Sequence, residues 1–167
     1  MEKSKKRNIL IGLLSAIVMA LIAVGAAIHA SNITTIKGLD GSDVTVTNSQ
    51  GQQVDPSQIP NDGWISYNVN YNWSILDSTN ISDGDTATVT LPAGMVVNKD
   101  VTGQLIDSKG QVVGNVKFTK GSSTGTITFN NVLYDQYGKH GTLAITAVKD
   151  AKSSSSTTGG NVGSNLP

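Results

Sequence analysis

The chain has 167 residues, enough for one domain of ordinary size, and only 14% of them are charged, against roughly 25% in an average soluble protein. Ser, Thr and Asn together account for 49 residues, and the absence of cysteine excludes a disulfide framework, a thiolate metal site and a cysteine nucleophile. The formal charge of zero hides an asymmetry. Lys3, Lys5, Lys6 and Arg7 open the chain, whereas beyond residue 30 there are 8 lysines, 11 aspartates, no Arg, no Glu and a single histidine, His140. That remainder argues against nucleic-acid binding through clustered basic side chains and against most acid–base or nucleophilic catalysis. It implies no enzyme, no cofactor and no resident metal.

From Ile9 to Ile28 the chain runs without a charge, directly after the basic opening. A positive end followed by a long apolar stretch directs a chain to the export machinery as a hydrophobic helix. Two small-residue sites follow it, Val24-Gly25-Ala26 and Ile28-His29-Ala30, so Ala26 and Ala30 are the candidate cleavage positions of a signal peptide. The alternative is an uncleaved anchor, since the apolar run is long enough to span a bilayer. In both cases the expectation is that residues 1–30 are the signal peptide or anchor, that everything beyond them lies outside the membrane, and that 9–28 make the only membrane contact. An exported domain without disulfides points to a bacterial surface.

The body reads as strands. Over Trp64–Ile75, Ile65, Tyr67, Val69, Tyr71, Trp73 and Ile75 fall on one face, while Ser66, Asn68, Asn70, Asn72 and Ser74 fall on the other. A period of two makes one apolar surface on a strand and would smear it around a helix. Shorter alternations follow at Ala87-Val89-Leu91, Val116-Phe118, Ile127-Phe129 and Leu143-Ile145-Ala147, with Val44-Val46 earlier. Between them stand turn sequences: Asp40-Gly41, Asn61-Asp62-Gly63, Ser82-Asp83-Gly84-Asp85, Pro92-Ala93-Gly94, Ser108-Lys109-Gly110 and Gly138-Lys139-His140-Gly141. Many short strands, each with one apolar face, predict an all-β domain over residues 31–150 with two antiparallel sheets packed face to face. From residue 151 the composition turns to Ser, Thr and Gly, which can bury almost nothing and reads as a disordered tail or linker.

Each polar cluster also has a plain structural reading. Asp83 and Asp85, like Asp40 and Asp43, lack the ligand spacing of a calcium loop and read as turn aspartates. His140, with no partner acid set by a motif, reads as an exposed loop histidine. Tyr67, Tyr71 and Trp73 share their face with Val69 and Ile75 and therefore read as core, not as a sugar-stacking platform.

Several pieces in order resemble a known family. They are Tyr71–Asp77, Ile81–Thr86, the strand ending at Leu91-Pro92, the hairpin Leu105–Gly114 and the strand Thr126–Val132. Together they are similar to the immunoglobulin-like N-terminal subdomain of Gram-positive cell-wall-anchored adhesins, the type that binds fibrinogen or collagen. The resemblance implies an immunoglobulin-like sandwich at the cell surface or secreted, with an extracellular matrix protein as ligand and a second Ig-like subdomain as partner. It further implies that Thr126, Ile127, Thr128, Phe129, Asn130, Asn131 and Val132 form a strand receiving a latch segment by β-augmentation. Asn130-Asn131 departs from the family's Thr-Asp at those positions. The competing expectation is a spacer or assembly domain with no ligand of its own.

Overall fold

The computed structural model describes residues 30–153. The predicted export segment at 9–28, the cleavage candidate Ala26 and residues 154–167 of the predicted tail lie outside the described residues. Among the described residues no helix is long and apolar enough to cross a membrane, and the helical elements are two short 3-10 turns, Pro56–Gln58 and Ala151–Ser153.

Among the described residues nine strands follow in chain order: β1 (Thr45–Thr47), β2 (Gln53–Val54), β3 (Ser66–Ile75), β4 (Thr86–Thr90), β5 (Met95–Val96), β6 (Val101–Asp107), β7 (Val112–Phe118), β8 (Thr124–Phe129) and β9 (Lys139–Lys149). In β3 the predicted alternation is realised: Tyr67, Val69, Tyr71, Trp73 and Ile75 are buried, and the intervening Ser and Asn side chains face outward. The pattern stops at Ser66. Trp64 is 87% exposed and Ile65 51% exposed, so the expectation that Ile65 joins the inner face is corrected. Both residues precede the first pairing of the strand, Ser66 with Val148, and no neighbouring strand covers them.

The strands pair antiparallel in the order β2-β1-β3-β9-β6-β7-β8-β4, with β5 beside the end of β9. The two layers expected from the sequence are therefore the two halves of one hydrogen-bonded path, which curls so that its apolar face encloses the core. Accumulated strand twist favours such curling in a sheet this wide. A bulge adds to it: Leu105 pairs with Gly114 but Ile106 pairs with Val112, leaving Val113 as the extra residue of β7. Consequently Val113 and Gly114 are both buried, which breaks the alternation at this point.

A seam closes the curl. Residues 31–39, for which the sequence shows no alternation, run between β4 and β3 and bond to both. Ile33 N–H donates to Thr86 O (2.7 Å) and Thr90 N–H to Leu39 O (3.0 Å), while Lys37 and Ser74 exchange two bonds of 3.0 Å. Beneath the seam, the Tyr71 hydroxyl donates to Thr90 O at 2.8 Å and ties β3 to β4. Burial pushes the pKa of this hydroxyl upward. Gly38 lets the segment pass, with φ at +83° and a missing Cβ that would stand 1.8 Å from Asn72 O.

A pole of exposed apolar side chains

The antiparallel register brings six strand ends to one pole of the domain. Ile75 pairs with Lys139, Asp107 with Gly141, Ile106 with Val112, Gly114 with Phe129, and Thr86 with Thr128. The turn Ser82–Asp85 and the loop 130–138 belong to the same pole. Of the seven large apolar residues exposed among the described residues, five lie here: Leu76, Ile106, Val112, Tyr134 and Tyr137. Tyr137 is 78% exposed. The other two, Trp64 and Ile65, stand at the opposite pole.

Hydrogen bonds pin the loop that carries the two tyrosines. Asn130 Nδ2 donates to Val112 O (2.8 Å), and its own Oδ1 accepts from Val132 N–H (3.0 Å). Gln136 Nε2 donates to Gln111 Oε1 (3.1 Å), while Lys109 Nζ donates to Gln136 Oε1 (3.3 Å). At the far end Gly138 N–H donates to Asp77 Oδ1 (2.7 Å). Leu133, fully buried, anchors the middle of the loop in the core. Aromatic side chains held on an anchored loop lose little freedom on binding a partner, which favours recognition.

The pole also carries open hollows. One of about 570 Å³ is lined by Ser82, Asp83, Asn131, Tyr134 and Asp135 among others. A second, of about 500 Å³, lies against Asn72, Asp107, Ser108 and His140. Among the described residues no three His, Cys, Asp or Glu side chains stand together as metal ligands. Asp40 is a turn residue: its Oδ1 accepts from Ser42 N–H and Ser42 Oγ–H, both at 2.9 Å, and these bonds lower its pKa. Asp83 is exposed, and Asp85 is 3% exposed and bonds backbone N–H groups. His140 is exposed as expected but belongs to β9, not to a loop; its Nδ1 donates to Gly138 O at 2.7 Å. Tyr67, Tyr71 and Trp73 are buried and present no face for a sugar ring.

The strand that the resemblance marks as the latch receiver is interior. Thr126, Ile127 and Thr128 pair with β4 on one side and with β7 on the other. Phe129 continues the ladder, its N–H donating to Asp85 O and its carbonyl accepting from Gly84 N–H. Asn130, Asn131 and Val132 start the loop. β-Augmentation needs unpaired backbone groups along an edge, and β8 has none over Thr126–Phe129. Among the described residues β4 and β7 occupy both edges of this strand over Thr126–Thr128. The exposed loop residues Tyr134 and Tyr137 carry no periodicity and stand out in the sequence only as aromatics within a polar, Gly-flanked stretch.

The family model described as a bacterial Ig domain matches residues 60–158, more than half of the chain. The chain belongs to the bacterial Ig domain family. No curated protein matches it. The matched span of this bacterial Ig domain covers β3 to β9, while the seam, β1 and β2 precede it.

Proposed function

We propose that this bacterial Ig domain is an exported, non-enzymatic surface module of adhesin type that binds an extracellular protein ligand, such as the matrix proteins fibrinogen or collagen, through the pole bearing Tyr134 and Tyr137. The observation that carries this reading is the gathering at one end of five of the seven large apolar residues exposed among the described residues, four of them on a loop and hairpin cross-linked by side-chain hydrogen bonds. Exposed aromatics held by a rigid scaffold are the usual anchors of protein–protein interfaces. The basic opening and apolar run at 9–28 support export. Because β8 is interior, recognition in this reading uses side chains of the pole and not a latch inserted beside Thr126–Phe129.

A spacer role is the second reading, and one observation favours it. The chain enters at the tyrosine-bearing pole, where Ser31 bonds Thr86, and leaves at the opposite pole, where Lys149 pairs with Met95. A domain traversed from end to end adds its full length to whatever it joins.

The test is a binding titration of the exported chain against immobilised fibrinogen and collagen, alongside the double variant Tyr134→Ser/Tyr137→Ser. Binding by the native chain and its loss in a variant with an unchanged circular dichroism spectrum is the expected result. Absence of binding by the native chain, with surface function retained when an unrelated sandwich replaces residues 31–150, establishes the spacer instead.

A further inference from the structure

Asp85 is an aspartate in an unusual place. It is 3% exposed, and among the described residues its carboxylate has no cationic partner. Its two oxygens are each held by one backbone N–H: Oδ2 accepts from Ser82 at 2.8 Å, closing its own turn, and Oδ1 accepts from Ser31 at 2.8 Å. Two amide donors bring dipoles but no positive charge to a buried carboxylate, and a cation at the same spot would add a charge-assisted bond. The nitrogen that occupies this spot belongs to the residue directly after Ala30, one of the two candidate cleavage positions.

We propose that the chain is cut between Ala30 and Ser31 during export, and that the α-ammonium of Ser31 so created is the missing partner of Asp85. A peptidase of the export pathway catalyses the step and water is the co-reactant. The Ala30–Ser31 amide C–N bond breaks, Ala30 departs as a carboxylate on the removed segment, and the Ser31 nitrogen takes up protons to become an ammonium. That nitrogen already lies at hydrogen-bond distance from Oδ1, so the ion pair forms with no rearrangement of the fold. The rest of the docking is in place too: Thr86 N–H donates to Ser31 O (2.8 Å) and Ile33 N–H donates to Thr86 O (2.7 Å). The ammonium therefore sits at the first residue of the seam. Removal of the export segment and locking of the β-domain become a single event. Cleavage after Ala26 would instead leave Ala27–Ala30 attached, and the nitrogen at Asp85 would remain a neutral amide.

Two measurements on the exported full-length product test this. Mass spectrometry of the recovered protein is expected to give Ser31 as the first residue; a first residue at Ala27, or retention of residues 9–28, overturns the proposal. The recovered protein is then treated with an amine-acetylating reagent near neutral pH, and the Ser31 peptide is quantified in the native state and in urea. The amine paired with Asp85 is expected to react about tenfold more slowly when folded, the effect of raising its pKa by about one unit. Equal rates in the two states overturn the pairing. In an Asp85→Asn variant that still folds, protection is expected to disappear; protection that persists also overturns it. The native-versus-urea comparison decides the matter even where that variant does not fold.

Discussion

Replacing Tyr71 with Phe isolates the bond that ties β3 to β4 beneath the seam. The ring stays and its volume is conserved, so no cavity opens, but the 2.8 Å bond to Thr90 O is lost. The Thr90 N–H is already engaged by Leu39 O and is unaffected, whereas its carbonyl is left facing an apolar ring. An acceptor stranded in this way costs about 1.5 kcal/mol, which for a domain of this size lowers Tm by about 6 °C. Thermal melts at pH 7 followed by circular dichroism read this directly. A second signature lies at high pH. Burial raises the pKa of the Tyr71 hydroxyl in the folded state, so the neutral form is favoured by folding. Its contribution is fully present below the unfolded value of about 10 and is lost as pH rises from there toward the folded value. The native protein is expected to lose more Tm between about pH 9 and pH 11 than Tyr71→Phe does, while lysine titration acts on both alike. A variant melting within about 1 °C of the native protein at pH 7, or an identical alkaline loss in both, would refute the assignment of this hydroxyl as a tie across the seam.

Gly38→Ala is expected to destabilise by at least about 2 kcal/mol, because the new Cβ meets the Asn72 carbonyl and the backbone is left-handed there. Gly51→Ala, equally left-handed but open to solvent, is expected to cost only about 1 kcal/mol, and parallel urea titrations separate the two. At low pH, Asp40 and Asp55 have pKa values lowered by hydrogen bonds from Ser42 and Ser57 respectively. The stability they contribute is complete above the unfolded value of about 3.9 and drains away as pH falls through the lowered folded values. The Asp40→Asn/Asp55→Asn variant should therefore lose Tm less steeply than the native protein below about pH 4. At the exposed pole, Tyr137→Ser should leave Tm within about 2 °C of native, since the side chain is 78% exposed.

Local chemistry carried a large part of the structure into the sequence. A period of two is a property of neighbouring residues, so the inner faces of β3, β4, β8 and β9 were legible before any pairing was known, and Tyr71 and Trp73 could be assigned to the core. Turn chemistry was equally local: Asp107 Oδ1 accepts from Lys109 N–H and Gln111 N–H, and Gly110 adopts a φ of +79° in the predicted hairpin. Elements lacking alternation were seen in part, as at the hairpin end of β6, or not at all, as in the seam. β6 offers only Val101, Leu105 and Ile106 as apolar residues, and the seam at 31–39 is defined by the backbone bonds it makes to both neighbours.

What pairs with what was decided by the tertiary structure alone. Whether a strand lies at an edge depends on residues far away in sequence, and for that reason the alternation at Thr126–Phe129 marks an inner face without revealing that β4 and β7 occupy both sides. The same holds for the ends. Antiparallel register gathers Leu76, Ile106, Val112, Tyr134 and Tyr137 at one pole although they are scattered over the chain, and curling brings Ser31 onto Asp85 across 54 positions. Side-chain periodicity sets which way each residue faces; only long-range hydrogen bonding sets which residues meet.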